Sequence, residues 1–295
     1  MILPWEWRGG DPTVLSSLGN GKQIKVERGD EVRKAAGILG ILVIAGLLCS
    51  GFAYAEGFEN RNSSEQAQEA IDVHKPITTG GVYSRFVLVH YGKPPWAGKP
   101  DGEEEPKDYD TFALLGVNWD ISKYPNGISY VIDPDYGPVG STEQIRLAFE
   151  AWDEATGVEL FQDPSVDTGV NPSLDTPDLL NTVTWRRMVP PRAIAVTYIW
   201  YVSDTGEVID CDVVLNTKHK WGIDPDGESE EFTLRRAFDV RNIATHEIGH
   251  VVGLADLYDG IYSELTMYGY GEKGETKKIS LENGDVLGCR EIYGE

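Results

Sequence analysis

Thr245-His246-Glu247-Ile248-Gly249-His250-Val251-Val252-Gly253-Leu254-Ala255-Asp256 is the stretch from which the rest of this chain can be read. His246 and His250 are four residues apart, so on a helix they stand one turn above each other on the same face and can close on one metal ion. Zinc suits that pair best. Glu247 lies one position round the helix, outside the pair but near enough to hold and deprotonate a water at the metal. A catalytic zinc takes a third protein ligand and keeps one position open. On a continuous helix Asp256 would lie about two thirds of a turn round from His250 and roughly 9 Å along the axis, out of reach. Gly253 removes the difficulty. Without a Cβ it can take a positive φ, end the helix and swing the following residues back toward the metal. The blander reading is an amphipathic helix whose two histidines are solvated or satisfied in the core, and it leaves both Gly253 and Asp256 unexplained. His219 is the runner-up for third ligand and Asp259 a weaker one, though no spacing rule supports either.

The stretch resembles the extended HExxHxxGxxH zinc signature of the metzincin metallopeptidases, with aspartate in place of the third histidine as in the snapalysin-like branch. Ser263-Glu264-Leu265-Thr266-Met267-Tyr268 is similar to the Met-turn and carries the Met-Tyr pair of the matrixin group. Leu281 to Gly294 resembles the last matrixin helix. The resemblance runs from about residue 112 to the end and implies an α+β catalytic domain of the zincin type, with a twisted mixed sheet of about five strands and three main helices. It implies a zinc-dependent endopeptidase in which His246, His250 and Asp256 hold the zinc and Glu247 is the general base. Met267 would pack beneath the ligands without coordinating, and Asp285 would match the acid that buttresses the Met-turn. In metzincins an edge strand above the cleft binds substrate backbone antiparallel, which puts Ala193, Ala195 and Thr197 in that place. Tyr268 and Tyr270 would lean into the cleft, and Gly269 to Lys278 would form the specificity loop.

The charge limits the partners. Twenty-six Lys and Arg against 48 Asp and Glu give a formal net charge of −22, which argues against nucleic acid or an anionic membrane, since both require a basic surface. It suits a soluble protein outside the cell, with acidity that merely maintains solubility as the blander reading; the resemblance adds the expectation of a monomer acting on protein or peptide substrates. The acidic stretch Asp224 to Glu231 could ligate Ca2+ but lacks full EF-hand spacing, so a solvated loop is favoured. Of the three cysteines, Cys49 lies in an apolar N-terminal run. Cys211 in a strand and Cys289 on an apolar helix position read as buried thiols in preference to a disulfide.

Residues 1–31 carry no periodic pattern. From Val32 a new one begins: Arg33 and Lys34, then an uncharged run from Ala35 to Ala55 ending Ala53-Tyr54-Ala55. A positive start, an apolar middle and an A-x-A exit make residues 32–55 a secretory signal peptide, with an uncleaved membrane anchor as the rival. Residues 56–111 read as a propeptide or spacer: polar connectors around one strand, Val82 to Tyr91. No cysteine falls there, so the cysteine-switch latency of many matrixins is excluded. A carboxylate, His74 or His90 would have to cap the zinc instead.

Residues 112–295 read as the compact catalytic domain. Ile128 to Asp133 and Val158 to Phe161 read as strands, as do Thr182 to Trp185, Ala193 to Val202 and Glu207 to Asn216, with the last two joined by a tight turn at Ser203 to Gly206. Between the first two strands, Ser141 with Gln144 reads as a capping box opening a helix. Its Ile145, Phe149 and Trp152 face the core, and Gly157 ends it. The metal helix starts near Thr233 or Asp239, and Ser280 caps the final helix.

Overall fold

A computed structural model describes residues 77–78, 82–94, 107–188, 192–224 and 234–294. The signal segment, His74 and most of the acidic stretch after Asp224 lie outside the described residues. The described strands are β1 (Ile77–Thr78), β2 (Tyr83–Gly92), β3 (Val131–Ile132), β4 (Ser165–Val166), β5 (Thr182–Arg186), β6 (Ala193–Val202), β7 (Val208–Asn216), β8 (Trp221–Gly222), β9 (Phe238–Asp239) and β10 (Tyr270–Gly271). The helices are α1 (Ser141–Thr156), α2 (Val240–Val251) and α3 (Asn283–Tyr293). Eight strands make one mixed sheet in the order β1-β2-β6-β7-β5-β3-β4, with β10 added to β2, while β8 and β9 pair separately. The architecture is the expected α+β one.

Runs of β-branched and aromatic residues make β6 and β7 long, and they pair antiparallel through the short turn that follows Val202. β3 pairs parallel with both β4 and β5, so the chain between β4 and β5 has to pass over β3. The expected strand at 128–133 survives only as Val131–Ile132, and Val158 to Phe161 contributes a single bridge, Ile128 to Phe161. Aromatic packing takes over there: Phe149 of α1 stacks on Tyr130 at 3.6 Å and meets Phe161 edge-on at 4.7 Å.

Two helix starts differ from expectation. Ser141 is the first residue of α1, and the N-cap is Gly140 in the left-handed region, with no side-chain cap. Gln144 N donates to Gly140 O, so the amide that a Ser141 hydroxyl would have capped is already bonded to backbone. Glu282, not Ser280, caps α3, in a reciprocal box with Asp285. Gly157 closes α1 with φ +68°, as read from sequence, and Asp239, one of the two expected starts, caps α2 through Asn242. Cys211 and Cys289 are buried free thiols.

The largest departure concerns β6. Expected at a sheet edge, it is an interior strand, because β2 lies antiparallel to it along its whole length. The inward residues Phe86 and Leu88 of β2 join the core, and this burial drives the pairing.

α2 packs on α1 beneath the sheet. Trp152 Nε1 donates to Thr245 O and Trp119 Nε1 to Val251 O, tying the helix to its supports. Gly249 is required here, since a Cβ on it would lie 2.2 Å from Met267 Sδ and 2.8 Å from the Trp152 ring. Gly249→Ala is therefore expected to destabilise the chain by about 1–3 kcal/mol through overpacking. Urea denaturation checks this, and an unchanged midpoint would show that Met267 moves aside freely.

Candidate metal centre and cleft

α2 ends in a Schellman turn: Gly253 N donates to His250 O and Leu254 N to Gly249 O, with Gly253 at φ +106°. The chain then runs between two neighbours. Ala255 N donates to Ala113 O on one side, and Leu257 N donates to Met267 O on the other. This turn and these bonds bring Asp256 back over the helix, as Gly253 led one to expect.

His246, His250 and Asp256 each offer a ligand atom, all within 4.8 Å of one another, and all three residues are buried. The hydrogen bonds fix which atoms these are. His246 Nδ1 donates to Thr266 O at 2.7 Å and His250 Nδ1 to Leu254 O at 2.8 Å, since a carbonyl can only accept. Burial, followed by the Lys278 charge, lowers the His246 pKa, and with Nδ1 carrying the proton its Nε2 presents a bare lone pair. That lone pair faces Asp256 Oδ1 at 3.1 Å, and His250 Nε2 faces the same oxygen at 3.5 Å. Acceptors converging in a buried site repel unless a cation lies between them. Tetrahedral ligands about 2.0–2.1 Å from zinc stand roughly 3.3 Å apart, so the donor set fits that ion. Tyr258 OH donates to Asp256 Oδ2 at 2.9 Å and orients the carboxylate.

Glu247 is fully buried beside this cluster. Thr197 Oγ1 of β6 donates to its Oε2 at 2.6 Å, and its Oε1 shares a 3.1 Å hydrogen bond with His90 Nδ1 of β2. Burial first, and then the Asp256 charge, push the Glu247 carboxyl up to about 8 against the pull of Thr197. His90 is kept neutral, chiefly by burial and then by His246, whose ring centroid is 3.9 Å away.

Below the ligands Asp285 accepts from Thr266 N at 2.8 Å and Met267 N at 3.1 Å, holding the turn that carries Met267. Ala193 and Ala195 are buried in β6 with Thr197. Tyr268 is buried, and Tyr270 is half-buried on β10, packed edge-on against Tyr258. His219 and Asp259 stand apart from the cluster: His219 Nε2 bonds Ala193 O at 2.9 Å, and Asp259 caps a short helical turn through Ile261 N.

Sequence reasoning missed Tyr258 and Lys278. Tyr258 sits two residues beyond Asp256, a spacing with no general meaning. Lys278 is fully buried and donates to Tyr268 O and to Tyr270 O, clamping the strand β10 from behind. A lysine in a glycine-rich polar loop gives no sign of burial. Lys278→Met keeps the length and strands two carbonyls, so a loss of about 1–3 kcal/mol is expected by urea titration; a neutral result would mean that water replaces the ammonium.

Residues 196–294 match the family model described as Matrixin. Over 80 residues the chain is 34% identical to Metalloendoproteinase 4-MMP of Arabidopsis thaliana, covering 27% of this chain and 21% of that protein. It is 35% identical over 69 residues to Metalloendoproteinase 1 of Glycine max, covering 23% and 21%. To Metalloendoproteinase 2-MMP of Arabidopsis thaliana it is 31% identical over 114 residues, covering 34% and 29%. The chain thus spans between 21% and 29% of the length of these relatives. The matched segment contains α2, the Met267 turn and α3.

Proposed function

We propose that this chain is a zinc-dependent endopeptidase that hydrolyses peptide bonds in proteins, exported as a monomer or anchored at the outer face of the membrane. The convergence of His246 Nε2, His250 Nε2 and Asp256 Oδ1 beside the buried Glu247 carries this reading. The match to the matrixin model and the names of the relatives support it. Export rests on the sequence of residues 32–55 alone. Calcium remains an expectation from the acidic stretch after Trp221, as a structural ion.

His246, His250 and Asp256 would hold the zinc. When bound, zinc supplies a Lewis acid that polarises the scissile carbonyl and makes water acidic enough to ionise near neutrality. Glu247 takes a proton from the attacking water on one carboxylate oxygen and delivers it to the leaving amine. Thr197 holds the other oxygen, so that Oε1 is the one placed to work. Thr266 O and Leu254 O hold the two imidazoles in the tautomer that leaves Nε2 bare. The substrate would lie extended, bonded by main chain to β6 and to β10 and selected by side-chain pockets.

A carboxylate in place of a third imidazole adds negative charge to the ligand set. Asp256→His is expected to move the acid limb of activity to lower pH; a profile that stays put or moves alkaline counts against this account. The reading as a whole is tested on the full chain by metal analysis and by casein breakdown beside Glu247→Ala. Bound zinc without any Glu247-dependent cleavage would make it a zinc-containing binding module.

A further inference from the structure

We infer that β2 is an intramolecular occupant of the peptide cleft, a strand of the chain's own that lies where substrate would lie and keeps Glu247 engaged through His90. The inference rests on the peptidase reading for its consequence, but its geometry stands alone.

β2 is bonded by main chain on two sides. It runs antiparallel to β6 from Tyr83 opposite Val202 to Tyr91 opposite Ala193. At its far end it runs parallel to β10, Tyr91 beside Tyr270 and Gly92 beside Gly271, and Lys93 N continues the pairing to Gly271 O. An extended peptide that adds to an open sheet edge takes this form. β1 pairs with β2 and not with β6, so lifting β2 away would make β6 the sheet edge.

The strand reaches the reactive group where a scissile bond would have to be. His90 is 1% exposed, with Nδ1 3.1 Å from Glu247 Oε1 and its ring against His246. The register slips between His90 and Tyr91, beside that carboxylate. Gly271 leaves room for the ring, since a Cβ there would come 3.1 Å from His90 Nε2. Phe86 and Leu88 would suit a permanent strand equally well. His90 would not: a buried histidine with Nε2 unpartnered is a poor core residue, and it faces the carboxylate proposed as the general base.

The test uses the zinc-loaded full chain with two readouts: casein cleavage, and binding of a fluorescein-labelled peptide of residues 83–92 in a Glu247→Gln background. His90→Ala is expected to raise both at least tenfold. Adding Val89→Cys and Val196→Cys, which face each other across β2 and β6, should abolish the gain on oxidation and restore it on reduction. If His90→Ala leaves both readouts unchanged or lowers them, or if oxidation has no effect, β2 is a permanent strand and the inference is overturned. If peptide binding follows the crosslink but no variant cleaves casein, the occupied cleft stands and the peptidase reading falls.

Discussion

Glu247→Gln is expected to reduce casein cleavage by at least a thousandfold while zinc content stays at the wild-type level. General-base catalysis contributes on the order of 10²–10⁴ in rate, and among the described residues no other carboxylate shares a hydrogen bond with both β2 and β6 at this position. Glutamine keeps the shape. Its carbonyl can still accept from Thr197 Oγ1, and its amide can donate toward His90 Nδ1, so the fold loses no contact. Residual cleavage within tenfold of wild type would move the base to another residue. The same variant separates catalysis from stability. After chelation the Glu247 carboxyl, raised by burial from 4.5 to about 8, binds its proton more tightly in the folded chain than in the unfolded one. Its contribution to stability is therefore fully present below pH 4.5 and is lost as pH rises through 8. Chelated wild type should lose stability relative to chelated Glu247→Gln across that window, by on the order of a few kcal/mol. Parallel urea curves at pH 5 and pH 9 measure it, and equal losses in both proteins would refute it.

What could be read in the sequence follows the range of the forces involved. The gathering of His246, His250 and Glu247 on one buried helix and the Gly253 bend were legible because a helix fixes spacing locally and a positive φ is available almost only to glycine. The long strands β5, β6 and β7 were legible from their β-branched runs. The short ones were not. β3 and β4 hold two residues each, and aromatic packing between distant segments decides where they stop. Capping was half legible: Gly157 acts as read and Asp239 is one of two expected starts, but Ser141 and Ser280 yielded to neighbours whose backbone bonds are set by turns. The place of β2 was beyond local reasoning. Its alternation announces a strand, and His90 shares the parity of Phe86 and Leu88, but nothing in residues 83–92 says that the partner lies more than 100 residues away. Lys278 is the opposite case, a residue whose type argues for the surface and whose surroundings, two carbonyls and an amide oxygen, hold it inside.

Gly253→Val is expected to remove fold and metal together, and this follows from the bend that carries Asp256. At φ +106° a β-branched residue is strained by about 1–3 kcal/mol. Its Cβ would also sit 2.7 Å from Val117 O and 3.1 Å from Ile292, one of them main chain that cannot step aside. Overpacking of that kind costs about another 1–3 kcal/mol, so the total is a large share of the roughly 5–15 kcal/mol that holds a domain together. The strain can be relieved only by opening the Schellman turn, and opening it withdraws Asp256 from the two imidazoles. Asp256→Asn is the control: it keeps the bend and can keep the bond from Tyr258, so it should melt near wild type while holding zinc more weakly. Thermal melts and metal analysis of the two variants side by side decide the matter. If Gly253→Val melts with wild type and keeps its zinc, the glycine is not what brings the third ligand home.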